Sequence, residues 1–412
     1  MTLKRSQVRI LYRPPLGYNL LMKQKTIGID ARFYGHAGPG RYTKSVIQHL
    51  EKVDKVNKYK VFVTDEGNKL YEPSNPNFEK VLANHTWYSF DEQIFFLFKV
   101  LKAGLDLYYV PHFNIPVLYP GKIVTAIPDM IMHTYSTAKG TTLPQWYFQI
   151  KRIVYRWVFW WAVLRSQKVI VPTQTVKNEF LKHLKGFSED KYVIAPEGVD
   201  PEFIETSENP KDVLSRYGIK QPYLLHVGSM YEHKNIDGII KAHKILGNKY
   251  GFKGQLVLVS KKDEFSKRIY DSIRKEGLED KIVLPAFIKE TNDESKIVIT
   301  DDEVVALRKE AFAYVFGAFK EGFSLTALEG MALGLPAALS DIDCHREVYG
   351  DSVLYFDPHN VEDIAEKINK FISSDSLKEE YIARGYKQIE KYSWNNTAEI
   401  TLDVFKKALK QN

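Results

Sequence analysis

The stretch Phe319-Lys320-Glu321-Gly322-Phe323-Ser324-Leu325-Thr326-Ala327-Leu328-Glu329 lies between a strand-like run, Ala313–Phe316, and an apolar helical segment, Leu325 to Leu333. Gly334-Leu335-Pro336 and another strand-like run follow. Two glutamates eight residues apart are common. Strand, Glu-Gly-Phe turn, apolar helix and second strand in that order are not. In open α/β sheets ligands bind outside the carboxyl ends of the strands. A helix N-terminus placed there offers free N–H groups and a positive dipole end to phosphate or hydroxyl oxygens. Gly322 permits close backbone approach, and Glu321 and Glu329 can accept hydrogen bonds from ligand hydroxyls.

Outward from this turn, strand-like runs alternate with helical ones, which predicts parallel sheets covered by helices. Upstream the strands are Thr26–Asp30, Tyr59–Val63, Leu107–Val110, Ile123–Ile127 and Lys168–Val171. The first leads into a glycine-rich stretch, Gly35 to Arg41, and an amphipathic run, Tyr42 to Leu50. Pro172-Thr173 ends the fifth, with Thr173 or Thr175 placed to cap the next helix. Ile194-Ala195-Pro196-Glu197-Gly198-Val199-Asp200-Pro201 reads as a linker. A second series follows: Tyr223–Val227, Gln255–Val259, Lys281–Leu284, Ala313–Phe316, Pro336–Leu339 and Val353–Phe356. Two such series predict two similar α/β domains. The polar segment from Lys289 to Thr300 reads as an extended loop before a helix, Glu303 to Ala311.

The 412 residues suit two domains, and 44% hydrophobic with 26% charged residues is a globular composition. A lone cysteine, Cys344, excludes an intrachain disulfide framework and a cysteine-cluster zinc site. No run of eighteen apolar residues is present to span a bilayer. The net charge of +7 is uneven: residues 1–200 hold 28 Lys and Arg against 16 Asp and Glu, and the remainder 30 against 35. A basic N-terminal half points to an anionic partner or to a solvated lysine-rich surface; no nucleic acid is expected. Residues 1–21, with Lys4, Arg5, Arg9 and Arg13 unopposed and a second methionine at Met22, read as a disordered leader or a misassigned start without signal-peptide character.

The motif resembles that of the large retaining glycosyltransferase family with the GT-B fold, family 4, in which Glu-Gly-Phe-Gly is followed, after four intervening residues, by a second Glu. The family's Ala-Met-Ala-x-Gly-x-Pro-Val is similar to Gly330-Met331-Ala332-Leu333-Gly334-Leu335-Pro336-Ala337. Ile29-Asp30-Ala31-Arg32 and Gly38-Pro39-Gly40-Arg41-Tyr42 resemble the opening strand and glycine loop, and Tyr392-Ser393-Trp394 the closing motif. The resemblance runs from Ile27 to about Trp394. It implies two Rossmann-like domains facing each other across a cleft. An acceptor-binding N-domain over 22–196 faces a donor-binding C-domain over 197–390, and a last segment, 391–412, returns to the N-domain. It further implies transfer of a hexose from a nucleoside diphosphate sugar with retained configuration, and no metal or other cofactor. Glu329 would bind the donor ribose and Glu321 the transferred sugar, with the amides of Phe323, Ser324 and Leu325 nearby. Lys234 would meet the diphosphate, beside Ser229 and His233. On the N-domain side Gly38, Gly40, Arg41, His112, Asp129 and His133 would line the cleft.

The chain departs from the family in places. Ser229 stands where many members carry arginine. His233-Lys234-Asn235 replaces the Arg-Lys-Asn of a subgroup resembling O-antigen mannosyltransferases, and His233 would supply part of a charge. Pro128 precedes Asp129 where a histidine is usual, with His133 as a substitute, and Phe316-Gly317 replaces Pro-Ser. His112 is equally readable as a cleft residue or a structural histidine. Asp341-Ile342-Asp343 matches a metal-binding Asp-x-Asp by letters only and reads as loop. The subgroup favours GDP-mannose as donor over UDP-glucose or UDP-N-acetylglucosamine; the acceptor is a glycan or, from the basic half and the aromatic-basic stretch Trp146 to Arg165, lipid-linked. The departures motivate a rival, a non-catalytic nucleotide- or glycan-binding partner of another transferase; a sugar-nucleotide epimerase of similar fold is a second. Trp146 to Arg165 interleaves aromatic and basic residues. It is either a buried helix or one that rests on an anionic membrane, which would place the protein in the cytoplasm at the inner membrane face.

Overall fold

The computed structural model describes residues 24–36, 38–134, 145–199, 205–288 and 299–410. The leader 1–21 and Met22, Ala37 of the glycine loop, Asp200-Pro201 of the linker and 289–298 of the polar segment lie outside them. So do the side chains of Trp146, Tyr147 and Phe148.

Two parallel sheets are present. The first holds β1 (Thr26–Asp30), β2 (Lys58–Val63), β3 (Phe78–Leu82), β4 (Leu107–Val110), β5 (Ile123–Ala126), β6 (Ser166–Val171) and β7 (Tyr192–Ile194), in the order β3-β2-β1-β4-β5-β6-β7. The second holds β8 (Tyr223–Val227), β9 (Gln255–Val259), β10 (Ile282–Val283), β11 (Ala313–Phe316), β12 (Ala337–Ser340) and β13 (Leu354–Phe356), ordered β10-β9-β8-β11-β12-β13. Each is a doubly wound arrangement of parallel strands in which the order of strand addition reverses about the first strand. Crevices therefore open at the carboxyl ends of β1 and β4 and of β8 and β11. The central strands read as continuous apolar runs because helices cover both faces: β4, β5, β9, β11 and β12 are buried at every position.

Capping follows from local chemistry. Thr173 Oγ1 accepts from the amide of Val176 at 3.1 Å and starts the helix Gln174–His183. Thr300 and Glu303 form a reciprocal capping box at the start of Asp301–Glu310. The helix Trp394–Lys410 packs on the first sheet, where Trp394, Leu402 and Phe405 share a core with Ile27, Ile29 and Leu50. Lys122 donates to the carbonyls of Ala408 and Leu409 at this helix's end, where a cation suits the dipole. The chain crosses between the sheets twice, at Pro196–Gly198 and at Ser393–Thr397. The crossings touch: Thr397 donates to the Pro196 carbonyl, and a Cβ on Gly198 would lie 2.2 Å from the Trp394 nitrogen.

Candidate active site

Lys234 lies in the turn of 3₁₀ helix Glu232–Lys234 that follows β8. Asn235 then takes a left-handed conformation, φ 56°, and opens the helix Ile236–Tyr250. The turn is tied to the loop after β11 by the Phe319 amide, which donates to the His233 carbonyl at 2.8 Å. That tie brings Lys234 against Glu321, with which it forms an ion pair, and over the Phe316 ring at 5.2 Å. Glu321 is buried, and burial, aided by the Asp129 carboxylate, pushes its carboxyl above the ordinary range against the pull of Lys234. Ser229 is half-buried at the end of β8. His233 does not supply the partial charge its sequence position suggests: burial, then Lys234, hold its pKa near 3, so it is neutral at physiological pH.

Gly322 is where the two halves meet backbone to backbone. A Cβ there would stand 2.1 Å from the Pro128 carbonyl oxygen and 3.0 Å from Asp129 Cβ, and Thr173 Oγ1 donates to the Gly322 carbonyl at 3.0 Å. Phe323 is buried against Tyr392, ring centroids 5.5 Å apart. Ser324 has φ 71° and ψ 51°, the left-handed region, at the N-cap of Leu325–Ala332. The family motif has glycine at this position, and the backbone shows why: an L-residue there costs about 1–2 kcal/mol. Ser324 is held by hydrogen bonds instead, from Tyr349 to its carbonyl and between its Oγ and His345 Nε2 at 3.0 Å.

Glu329, almost fully buried, lies between two arginines. Arg308 Nη2 donates at 2.5 Å from the neighbouring helix, and Arg41 Nη1 at 2.7 Å from the first half of the chain. Arg41 also reaches Asp301 at 2.6 Å. Its side chain springs from the helix Pro39–Val53, whose start Gly38 leaves open at φ 70°, and which Gly40 lets sit against the loop after β1, since a Cβ there would be 2.2 Å from the Phe33 carbonyl oxygen. Arg41 thus joins the Glu329 group rather than a separate N-terminal wall. The halves also meet where Glu347 accepts from the amides of Gln174 and Thr175, at 2.5 and 2.8 Å, and where Lys320 pairs with Glu179 at 2.6 Å.

On the first sheet, Asp30, Arg32 and Glu92 form a buried charged cluster past β1, with Arg32 3.7 Å from the Phe96 ring centre. His112 is nearly buried past β4. Its Nδ1 accepts from the Asn114 amide at 3.1 Å and its Nε2 faces the Tyr88 hydroxyl at 3.4 Å. Burial lowers its pKa to about 4. Asp129 accepts from the Ile131 amide at 2.8 Å, and burial raises its pKa. His133 is hydrogen-bonded to Tyr155 at 3.0 Å and rests on Phe159, its pKa lowered to about 4 by burial. Asp129, rather than His133, is the group whose charge bears on Glu321. Asp341 is paired with Arg346 at 2.6 Å. Among the described residues no three His, Cys, Asp or Glu side chains are grouped to hold a metal ion.

Besides Arg308 on Glu329, Glu197, inside the segment that reads as a linker, is a site residue the sequence reading misses. Its carboxyl is pushed up from 4.5 to about 8 by burial and by Glu329 and Asp129, with Arg41 opposing. A raised folded-state pKa favours the protonated form, so its stabilising contribution is complete below pH 4.5 and lost as pH rises through 8. Glu197→Gln is therefore expected to melt with wild type at pH 4 and above it at pH 8.5, by about 2–4 °C for each kcal/mol gained. A variant no more stable at the higher pH contradicts this.

Two doubly wound sheets with facing crevices and a glutamate turn between them define a GT-B fold. Solved structures share it. A glycosyltransferase from Rickettsia africae superposes with a TM-score of 0.68 at 17% identity, over 95% of this chain and 100% of that one. Anabaena HepE, in complex with UDP and glucose, gives 0.67 at 15%, over 93% and 99%. Residues 215–388 match the family described as Glycosyl transferases group 1, a span that holds Ser229, His233, Lys234, the Glu321–Leu325 turn and Glu329. The chain thus has a GT-B fold, and the group 1 glycosyltransferase match over its second half makes it a glycosyltransferase. It is 28% identical over 251 residues to O-antigen chain mannosyltransferase B of Escherichia coli, 59% of this chain and 61% of that one. It is 26% identical over 232 residues to O-antigen chain mannosyltransferase RfbU of Salmonella typhimurium, 54% and 58%. The aligned stretch spans less than two thirds of either relative.

Proposed function

We propose that the protein is a retaining glycosyltransferase of the family 4 type that moves a hexose, mannose before glucose, from a nucleoside diphosphate donor to a glycan or lipid-linked acceptor at the inner membrane face. The observation that carries this is the Lys234–Glu321 pair at the β8/β11 crevice, with Glu329 eight residues beyond Glu321 on the helix that follows the same turn. The C-terminal half takes the donor, with Glu329 on the ribose, Lys234 on the diphosphate and Glu321 on the sugar. The acceptor enters past His112 and Asp129 of the first half. The bond from the anomeric carbon to the phosphate oxygen breaks as the bond to the acceptor oxygen forms on the same face. The acceptor proton passes to the leaving phosphate oxygen, so no side chain acts as nucleophile. A fixed ammonium at the departing diphosphate stabilises the charge that develops there. Halves that close on the substrates exclude water and set the reacting atoms in line.

The mannosyltransferase relatives support mannose as the sugar, with GDP-mannose as the donor to test first, and the UDP and glucose bound by HepE supply the alternative. A thermal-shift panel of GDP, UDP and ADP sugars separates them, because a ligand of the native state raises its melting temperature. Release of nucleoside diphosphate on addition of acceptor then tests transfer. No release with any donor points to a non-catalytic partner, and a new nucleotide sugar without acceptor to an epimerase. The diphosphate charge is met here by Lys234 and a helix N-terminus. Transfer is therefore expected to keep its rate in EDTA; loss in EDTA with rescue by manganese contradicts the metal-free reading.

A further inference from the structure

Two segments of the first half bury one side and leave the other both apolar and open. In Glu92–Lys102, Phe96, Leu97 and Val100 are buried, while Ile94, Phe95 and Phe98 are 47, 63 and 57% exposed. In the helix Gln145–Arg165, Phe159, Ala162 and Val163 are buried, while Ile153, Trp157 and Trp160 are 68, 49 and 39% exposed. From Ile153 to Leu164 this helix is apolar on nearly all sides, a pattern that belongs inside a core, yet it is only half inside. The two segments adjoin. The Val117 amide donates to Gln93 at 2.8 Å, and its carbonyl accepts from Trp161 Nε1 at 2.9 Å. Phe96, Val100 and Ala162 share one core cluster, and Leu118, 75% exposed, stands on the loop between.

Charge identifies the occupant. Residues 93–105 and 145–165 contain no Asp or Glu, but hold Lys99, Lys102, Lys151, Arg152, Arg156 and Arg165. A second copy seated on this face across a two-fold axis would set cation against cation. A bilayer with anionic headgroups matches both the cations and the tryptophan and phenylalanine side chains, which favour the headgroup boundary. The face also borders the acceptor side of the cleft. Leu118 lies six residues beyond His112, and Tyr88, 63% exposed, is the residue whose hydroxyl faces His112. We propose that this two-segment face docks the protein on an anionic bilayer and presents the cleft to a lipid-linked acceptor. The acceptor's identity rests on the transferase reading; the docking does not.

The test is cosedimentation of the full chain with vesicles of phosphatidylcholine, alone or with phosphatidylglycerol, at low and high salt. Wild type is expected to bind the anionic vesicles and to be released as salt screens the attraction. Phe95→Ser with Phe98→Ser, at exposed positions outside the donor site, is expected to lower vesicle affinity about tenfold or more. So is Lys151→Gln with Arg152→Gln and Arg156→Gln. Both variants should keep the wild-type thermal shift with GDP or UDP, which shows them folded. Equal binding to neutral and anionic vesicles, no binding, or full retention in both variants overturns the docking face. So does a concentration-dependent dimer in solution that the serine variant abolishes. Vesicle binding with no response to any nucleotide would instead remove the transferase reading and leave the docking in place.

Discussion

Lys234→Ala is expected to lower the rate of transfer by about two to three orders of magnitude, the range seen when a fixed group aimed at developing charge is removed. The argument is geometric. Lys234 is held by the Phe319-to-His233 backbone tie and the left-handed Asn235, so its ammonium is fixed before substrate arrives. The same substitution strips the buried Glu321 of its ion-pair partner. With burial and Asp129 already raising its pKa, the Glu321 carboxyl would take up a proton at a higher pH than in wild type, which limits the cost to folding. The rate loss should therefore exceed the stability loss. Lys234→Arg keeps the charge and should recover part of the rate. Steady-state kinetics beside thermal melts decide it: an alanine variant within tenfold of wild-type kcat would remove Lys234 from the diphosphate.

Both sheets were legible because parallel strands covered on both faces appear as short apolar runs. The two strands missed are those where this signal fails. Phe78-Glu79-Lys80-Val81-Leu82 is an edge strand whose apolar run is interrupted by two charged residues, Glu79 exposed and Lys80 half-buried. Tyr192–Ile194 is three residues long and merges with the turn-rich crossover. The Glu-Gly-Phe turn was legible as a local motif, and so was Lys234 from its place after β8. What the sequence hides is non-local. Arg41 and Glu329 are 288 positions apart, and nothing in either neighbourhood announces the pair. Glu197 looks like linker because its chemistry arises only when the halves bring Glu329 and Asp129 near it. For Trp146 to Arg165 the sequence left burial and surface contact open; the described part of the helix has one side of each kind. Periodicity cannot separate these when both sides are apolar.

The Arg41–Glu329 contact also changes how the division of labour between the two glutamates is to be tested. Alanine at 329 would leave Arg308, itself buried, without its carboxylate, and breaking a buried pair from one side costs about 3–5 kcal/mol. Glutamine keeps the shape and one acceptor oxygen. Glu329→Gln is expected to weaken binding of free nucleoside diphosphate about 10- to 100-fold, since a hydrogen bond to a charged group contributes about 1.5–3 kcal/mol. Glu321→Gln should leave the free diphosphate within about threefold and weaken only the intact sugar donor, because a group on the sugar adds nothing when no sugar is present. Arg41→Ala supplies the third arm. Glu329 is almost fully buried while Arg41 holds it, so a ribose reaches it only when that contact opens. Removing Arg41 raises the fraction of open molecules, and the apparent affinity rises with that fraction, by about three- to tenfold. Calorimetry with the diphosphate alone measures all three. Equal losses in the two glutamine variants would sink the assignment of ribose to one glutamate and sugar to the other. A weaker diphosphate complex in Arg41→Ala would make Arg41 a binding residue and not a competitor for Glu329.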